Sequence, residues 1–191
     1  MIFDWKNNKE EAIKNGICER NIFGVIKISL EVPSDEVSDH IFRNFEKLEF
    51  DEGTTLTNCT FENCKELTFN YSDISNCSFT DVSFIFSRHT TYKKSTFSNI
   101  TSLHESVFCL EDCNIKRCSF ENITLTDDAY LVDGTSECII ENCTFSDIKT
   151  ERSDGEIILC EETEGLLFKR KVKYSIVDEA SCTGLDEIEI I

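Results

Sequence analysis

The sequence predicts an all-β protein, a right-handed parallel β-helix (solenoid) with a short N-terminal helical cap, and three observations support this fold class. One seven-residue motif recurs five times through the middle of the chain. Each column of the motif keeps one kind of side chain in all five copies. The central residues of successive copies stand 18, 18, 23 and 25 residues apart, which indicates one structural unit per copy.

Residues 1–47 are predicted to form the N-terminal cap. Asp4 has the residue type of a helix N-cap, and Gly16 has the residue type that follows a helix end, so we expect a short helix over residues 4–15. The open end of a stack of strands exposes apolar surface and unpaired strand edges. A covering element is therefore expected at this position.

The rest of the cap region contains one predicted strand and one ambiguous segment. Apolar and polar residues alternate over residues 26–32, which predicts a half-buried strand that ends at Pro33. The apolar residues of segment 34–47 fit an amphipathic helix, and they also fit an irregular first turn of the solenoid. Both interpretations stay open at this stage.

The repeated motif lies within residues 48–160, the predicted solenoid, and has a phenylalanine at its centre. This central column consists of Phe61, Phe79, Phe97, Phe120 and Phe145. A small residue stands two positions earlier in each copy: Cys59, Cys77, Ser95, Cys118 and Cys143. A turn-forming residue stands two positions later, followed directly by an apolar one: Asn63-Cys64, Asp81-Val82, Asn99-Ile100, Asn122-Ile123 and Asp147-Ile148. Another column stands three positions before the small residue: Leu56, Ile74, Tyr92, Ile115 and Ile140.

These columns predict a strand that turns a corner and stacks on its copies. Side chains two positions apart point to the same face of a strand, so the cysteine and phenylalanine columns should share one face. Asn and Asp favour the corner that follows. Equivalent residues should then stack about 4.8 Å apart, with the phenylalanines forming an interior ladder. A left-handed hexapeptide helix needs an apolar residue at every sixth position, and Asp73 breaks that pattern.

Residues 161–191 are predicted to close the solenoid with further strands. Segments 157–159, 166–175 and 187–191 have strand-like composition, and the last two could form a hairpin. The run Lys169-Arg170-Lys171-Val172-Lys173 is read as a strand with an exposed basic face.

The phrases Asn-Cys-Thr-Phe (58–61) and Ile-Ile-Glu-Asn-Cys-Thr-Phe (139–145) resemble turns of right-handed β-helix proteins of the pectate-lyase-like type. This resemblance implies a fold and no particular activity. The phrase Cys-Ser-Phe-Thr-Asp (77–81) shows a weaker resemblance to pentapeptide-repeat proteins, whose pattern does not continue along the chain.

The sequence predicts no enzyme, no catalytic residue, no metal site and no cofactor. The cysteine pairs 59/64, 113/118 and 138/143 are each five apart, an odd spacing that would place two thiols of one strand on opposite faces. They are therefore read as packing residues and not as zinc ligands. Asp127-Asp128 and His104-Glu105 are read as solvated surface pairs. No nucleotide-binding or zinc-finger motif is present.

The chain is predicted to be cytoplasmic, with reduced thiols. Its first residues include a charge at Asp4 and no apolar signal core, and its apolar runs are too short to span a bilayer. The net charge of −18 disfavours binding to nucleic acid or to an anionic membrane, because both would be repelled. A protein with a basic surface would instead be attracted.

The candidate partner-binding surface is acidic. Between residues 121 and 164 the chain has thirteen acidic residues and only two basic ones. The residues selected as the candidate surface are Asp127, Asp128, Asp133, Glu151, Asp154, Glu161, Glu162 and Glu164. A rigid solenoid would hold such charges at fixed spacings.

Two functions are consistent with these features. The first is a non-enzymatic inhibitor that occupies the basic surface of a nucleic-acid-handling protein, as a phage anti-CRISPR, anti-defence or immunity-type protein would in the host cytosol. The second is a carbohydrate-binding or carbohydrate-active β-helix, which predicts an aromatic and carboxylate-lined groove along one sheet. The partner, the binding face, the source and the oligomeric state do not follow from the sequence.

Overall fold

The computed structural model describes residues 1–22, 25–30, 36–135, 138–160, 176–177 and 181–191. The first elements are β1 (Ile2–Asp4), α1 (Lys9–Lys14), β2 (Ile17–Ile22) and β3 (Val25–Leu30). Six units of three strands follow. Units 1 to 3 are β4 (Glu36–Ser38), β5 (Ile41–Arg43), β6 (Lys47–Phe50); β7 (Thr55–Thr57), β8 (Thr60–Glu62), β9 (Glu66–Asn70); and β10 (Asp73–Ser75), β11 (Ser78–Thr80), β12 (Phe84–Arg88).

The second strand is longer in each of the remaining units. Units 4 to 6 are β13 (Thr91–Lys93), β14 (Thr96–Thr101), β15 (Ser106–Glu111); β16 (Asn114–Lys116), β17 (Ser119–Leu125), β18 (Tyr130–Thr135); and β19 (Ile139–Glu141), β20 (Thr144–Thr150), β21 (Ile158–Cys160). The described C-terminal elements are β22 (Ile176–Val177), a 3₁₀ turn (Leu185–Glu187) and β23 (Glu189–Ile190).

The three strands of each unit belong to three different sheets, which we name C, A and B in the order in which the chain visits them. The first strand of every unit joins sheet C, the second joins sheet A and the third joins sheet B. Each strand pairs in parallel with the equivalent strand of the next unit. The all-β class with parallel sheets is therefore confirmed, and the repeated C-A-B order fits a β-helix.

Residues in the left-handed backbone region turn the chain between strands and, in units 4 to 6, bend the second strand within its length. The predicted turn column, Asn63, Asp81, Asn99, Asn122 and Asp147, has φ between 52° and 55° throughout. Asn and Asp tolerate this conformation because their short polar side chains bond locally. The phenylalanine two positions before each turn residue and the apolar residue directly after it can then both point inwards, which their odd spacing would not allow in an extended strand.

The interior is lined by the predicted columns. Phe61, Phe79, Phe97, Phe120 and Phe145 lie in register in sheet A, with neighbouring ring centroids 4.7, 4.7, 5.1 and 4.9 Å apart. The planes of successive rings lie within 15° of parallel. Phe50, Phe69 and Phe108 of sheet B meet this stack edge-on. The Leu56 to Ile140 column is buried in sheet C.

The N-terminal region differs from the prediction. The helix spans only Lys9–Lys14, and Asp4 is not its N-cap because it ends strand β1. The Asp4 carboxylate instead accepts hydrogen bonds from the side-chain amides of Asn7 and Asn44. The predicted strand at 26–32 corresponds to β3, while Pro33 and its neighbours from 31 to 35 lie outside the described residues.

The ambiguous segment 34–47 is a first unit and not a helix from Glu36 onwards. The repeating part consequently begins at β4, twelve residues before the predicted boundary at 48. The cap is then made of α1, β1 and the antiparallel pair β2–β3. Phe3 stacks on Phe42 at 5.1 Å, and Trp5 stacks on Phe45 at 5.5 Å, so aromatic rings cover the first unit.

The C-terminal end is closed in part by β23. This strand pairs in parallel with β20 and extends sheet A. The hairpin considered from the sequence involves segment 166–175, so it falls outside the described residues. Gly184 has φ of 86°, and a Cβ atom there would lie 1.9 Å from the carbonyl oxygen of Phe145. This close approach requires glycine. Segment 166–175, including the basic run, lies outside the described residues.

Candidate protein-binding surface

Two successive turns bring together four of the predicted acidic residues. The first turn follows β17 and contains Asp127 and Asp128, both exposed and both in the left-handed region, with φ of 53° and 58°. The second turn follows β20 and contains Glu151 and Asp154. Because β17 and β20 are paired neighbours in sheet A, the turns that follow them lie one above the other. We name Asp127, Asp128, Glu151, Asp154 and Glu156 the acidic corner.

Hydrogen bonds between the two turns hold the acidic corner in place. The backbone N–H of Asp127 donates to Oε2 of Glu151 at 2.8 Å. Nη1 of Arg152 donates to the carbonyl oxygen of Asp128 at 2.9 Å. The same guanidinium lies over the ring of Tyr130, with 4.0 Å from Cζ to the centroid. The backbone of the first turn and the Glu151 carboxylate are therefore positioned by the fold, unlike the residues of a flexible acidic tail.

Arg152 neutralises part of this charge. It holds Asp154 through two hydrogen bonds of 3.2 and 2.7 Å, and its own side chain is only 14% exposed. The backbone N–H of Glu156 and then the Arg152 guanidinium lower the pKa of Asp154. Five carboxylates less one guanidinium leave the acidic corner with a net charge of −4 at neutral pH.

The other predicted acidic residues do not join this corner in the described structure. Asp133 lies on β18 in sheet B, half-buried and in register with Cys109 and Leu159. Glu161, Glu162 and Glu164 lie outside the described residues. Glu156, which was not selected from the sequence, belongs to the corner because its N–H donates to Oδ1 of Asp154 at 3.0 Å.

Many basic side chains elsewhere are paired across neighbouring units. These pairs are Arg43–Glu62, Glu46–Lys65, Lys47–Glu66, Arg88–Glu111 and Lys116–Glu141. Each of them joins one unit to the next. Exposed pairs of this kind contribute little stability individually, up to about 1 kcal/mol. Their main effect on the surface is to leave the unpaired carboxylates as the dominant charge.

The histidines show no catalytic geometry within the described residues. His104 packs against Phe84, with ring centroids 5.2 Å apart, and His40 stacks on Phe3 at 5.5 Å. His89 stacks on Tyr71 and lies 3.5 Å from the Asp112 carboxylate. Among the described residues no group of three or more potential ligands could hold a metal ion.

The cysteines pack in the interior, although not for the predicted reason. Cys59 and Cys64 are both buried, as are Cys113, Cys118, Cys138 and Cys143. Their odd spacing does not place them on opposite faces, because a left-handed corner or a change of sheet lies between the members of each pair. No disulfide joins the cysteines whose side chains are described.

One feature of sheet B was missed from the sequence. Phe84 and Phe86 point outwards from β12 and are half-buried, so not all phenylalanines of the solenoid are interior. Their alternation with the buried Ile85 and Ser87 could have revealed this.

Among the described residues, no helix combines the length and apolar character needed to cross a membrane.

Comparison with protein-family models, with curated proteins and with solved structures finds no match to this chain.

Proposed function

We propose that the chain is a right-handed parallel β-helix of the pectate-lyase-like kind. Three parallel sheets visited in constant order, with in-register stacking of equivalent residues, support this architecture. The right hand is favoured because parallel strands joined by crossover connections are almost always right-handed. The failure of the six-residue repeat also disfavours the left-handed hexapeptide helix.

We further propose that the protein is a non-enzymatic binding protein that inhibits a nucleic-acid-handling protein by occupying its basic surface. The observation that carries this proposal is the acidic corner, whose two stacked turns are joined by hydrogen bonds through the Glu151 carboxylate and the Arg152 guanidinium. A rigid array of carboxylates can compete with phosphates for Lys and Arg side chains. Its pre-organisation lowers the ordering cost of binding.

The overall charge supports the same proposal. A net charge of −18 attracts a basic partner over a distance of roughly 8 Å at physiological salt. It also repels nucleic acid, so the protein would act on the nucleic-acid-binding protein and not on its substrate. A phage-encoded anti-CRISPR, anti-defence or immunity-type inhibitor in the host cytosol is the concrete form of this function.

The test is capture of partners from cells that carry a nuclease defence system, followed by a competition assay with the captured protein. The Asp127→Asn, Asp128→Asn double variant removes two charges and keeps side chains that tolerate the left-handed backbone. Glu10→Gln, Glu52→Gln is the matched control, because both residues are exposed and the net charge changes equally.

We expect the corner variant to compete about tenfold less well with nucleic acid, and the control to compete as the unmodified protein does. Binding should also weaken steeply between about 50 and 500 mM salt, as charge-dominated association does. Equal inhibition by both variants, or partners that stay bound unchanged in high salt, would remove the basis for this proposal.

A carbohydrate-binding function is the second candidate, and one observation favours it. Phe84 and Phe86 stand side by side on the outer face of sheet B, where aromatic rings could stack on sugar rings. Phe84→Ala, Phe86→Ala should then abolish binding on a glycan array. An array that shows no binding to the unmodified protein would eliminate this candidate.

A further inference from the structure

Four basic residues cluster on an outer corner of an otherwise acidic molecule. Lys93 ends β13 and is in register with Lys116, which ends β16. The residues that follow, Lys94 and Arg117, occupy the corner between sheets C and A, and the backbone N–H of Lys94 donates to the carbonyl oxygen of Lys116 at 3.1 Å. We name these four residues the basic corner. It lies on a different edge from the acidic corner, which leads from sheet A to sheet B.

The basic corner carries an electrostatic cost. Like charges directly opposite each other on paired strands are destabilising, and Lys93 and Lys116 occupy such positions. Glu141 of the next unit pairs with Lys116 at 3.0 Å. Within the described part of the chain, Lys93, Lys94 and Arg117 have no carboxylate partner. The described residues thus include many more carboxylates than cations, and none of those carboxylates pairs with these three side chains.

The basic corner also carries a conformational cost. Lys94 and Arg117 have φ of 51° and 55°, in the left-handed region that disfavours side chains other than Gly, Asn and Asp. The equivalent corner in the other units is occupied by Asp39, Asn58, Asn76 and Asn142, all with similar φ. The column therefore departs from its favoured residue types in two adjacent units, and in both cases a cation replaces Asn or Asp.

Charge repulsion and backbone strain thus both destabilise the folded protein at the basic corner. This indicates that its residues serve a function other than stability. Backbone strain of this kind is typical of binding sites, where a ligand offsets it. We propose that the basic corner binds a phosphorylated side chain of a partner protein. A phosphate monoester is a compact dianion with three strong acceptor oxygens, and the fork of Arg117 can bind two of them.

The surroundings fit this ligand. Thr91 and Asn114 lie on the same outer face of sheet C, and Thr96 lies just beyond the corner on sheet A, so neutral donors flank the cations. A long polyanion such as nucleic acid would run beyond the two units onto Asp73 and Glu141 and would be repelled. The corner is an outer, convex edge with exposed side chains, while free small ligands favour concave pockets. A phosphate carried by a protein surface suits it best.

The experiment is an amide NMR titration with a short neutral peptide containing one phosphoserine. We expect chemical-shift changes concentrated at residues 93, 94, 116 and 117, and none with the unphosphorylated peptide. The Lys94→Asn, Arg117→Asn variant restores the residue type of the rest of the column. It should bind the phosphopeptide about tenfold more weakly or worse, because two charge-assisted contacts are lost. The same variant should unfold at a higher urea concentration, because the backbone strain and charge repulsion are relieved.

Weaker phosphopeptide binding together with higher stability in the same variant distinguishes a binding role of these residues from a structural one. Lys6→Gln, Lys14→Gln is the control for net charge, and it should bind as the unmodified protein does, since both lysines lie in the N-terminal cap. Lys93→Gln provides a second test that leaves the corner backbone unchanged, and it should also weaken binding.

Several results would overturn the proposal. One is equal chemical-shift changes with a peptide that contains glutamate instead of phosphoserine, and another is tighter binding of a short DNA oligonucleotide at the same amides. A third is undiminished phosphopeptide binding by the corner variants. The last is no chemical-shift change at up to about 10 mM peptide, because a Kd of that size corresponds to only about −2.7 kcal/mol of binding free energy.

Discussion

At the scale of single residues, the stacked phenylalanines of sheet A form the centre of the interior of this protein. The stack is longer than the repeated motif indicated, because Phe42 lies 5.1 Å from Phe61 and Phe3 lies 5.1 Å from Phe42. Phe42 is followed two positions later by Asn44, which has φ of 61°. This is the same Phe-to-turn spacing as in the five later copies, and it was the signal that could have extended the repeat.

The first prediction concerns Phe97, which has a stacked neighbour on each side at 4.7 and 5.1 Å. Phe97→Ala should lower the free energy of unfolding by about 3–5 kcal/mol, since it removes buried area and leaves a cavity. Phe97→Leu keeps much of that area and loses four ring contacts, two stacked and two edge-on, of about 0.5–1.5 kcal/mol each. Urea unfolding monitored by circular dichroism measures both changes. Phe86→Ala is the matched control on the outer face of sheet B, and an equal loss there would contradict the special role of the stack.

At the scale of elements, the repeated strands were predictable and the ends were not. The second strand of each unit ends or bends at an Asn or Asp, so spacing and residue type alone located five of these six turns. The helix prediction at 4–15 was wrong in extent because Asp4 and Gly16 are acceptable helix boundaries locally. The pairing of β1 with β5, in which Ile2 is in register with Ile41, determines where the helix begins instead. Such long-range pairing leaves no periodic signal in the segment itself.

The acidic corner was predictable only in part, for the same reason. Asp127, Asp128, Glu151 and Asp154 belong to insertions after equivalent strands, so the repeat alignment could place them together. The capture of Asp154 by Arg152 depends on side-chain direction, which spacing does not encode. Asp133 was misplaced because its strand, β18, lies beyond the corner in another sheet.

The second prediction concerns the N-terminal cap as an element. Deletion of residues 1–30 would expose the edges of β5 and β6 together with Phe42 and Phe45, which Phe3 and Trp5 cover. Exposed strand edges with apolar side chains promote association between chains. We expect the truncated protein to form soluble oligomers or aggregates in light scattering, while deletion of residues 189–191 should have a smaller effect. A monodisperse truncated monomer with unchanged unfolding would show that the cap is dispensable.

At the scale of the whole molecule, charge and thiols are segregated. Carboxylates dominate the surface and many basic side chains form ion pairs with a neighbouring unit, whereas the interior holds a set of thiols. Burial raises the pKa of Cys64 and of Cys113 to about 12. Burial likewise raises the pKa of the Tyr92 hydroxyl, partly opposed by its hydrogen bond with Ser87. The folded state therefore excludes several ionised groups that the unfolded chain would carry at alkaline pH.

The third prediction is a loss of stability in alkali that reflects these groups. A thiol whose pKa is raised on folding stabilises the folded state fully at a pH below the pKa of the unfolded chain, which is 9.0. This contribution is lost as the pH rises towards the pKa of the folded state, about 12. Each such thiol should cost about 1 kcal/mol of unfolding free energy between about pH 9 and 10. Urea unfolding at several pH values, with a reductant present, measures the slope. Cys64→Val, which places the residue type of Val82 in this column, should reduce the loss by that amount. An identical pH dependence in the variant would mean that the Cys64 thiol ionises as readily in the folded protein as in the unfolded chain, and that its position in the interior does not exclude charge.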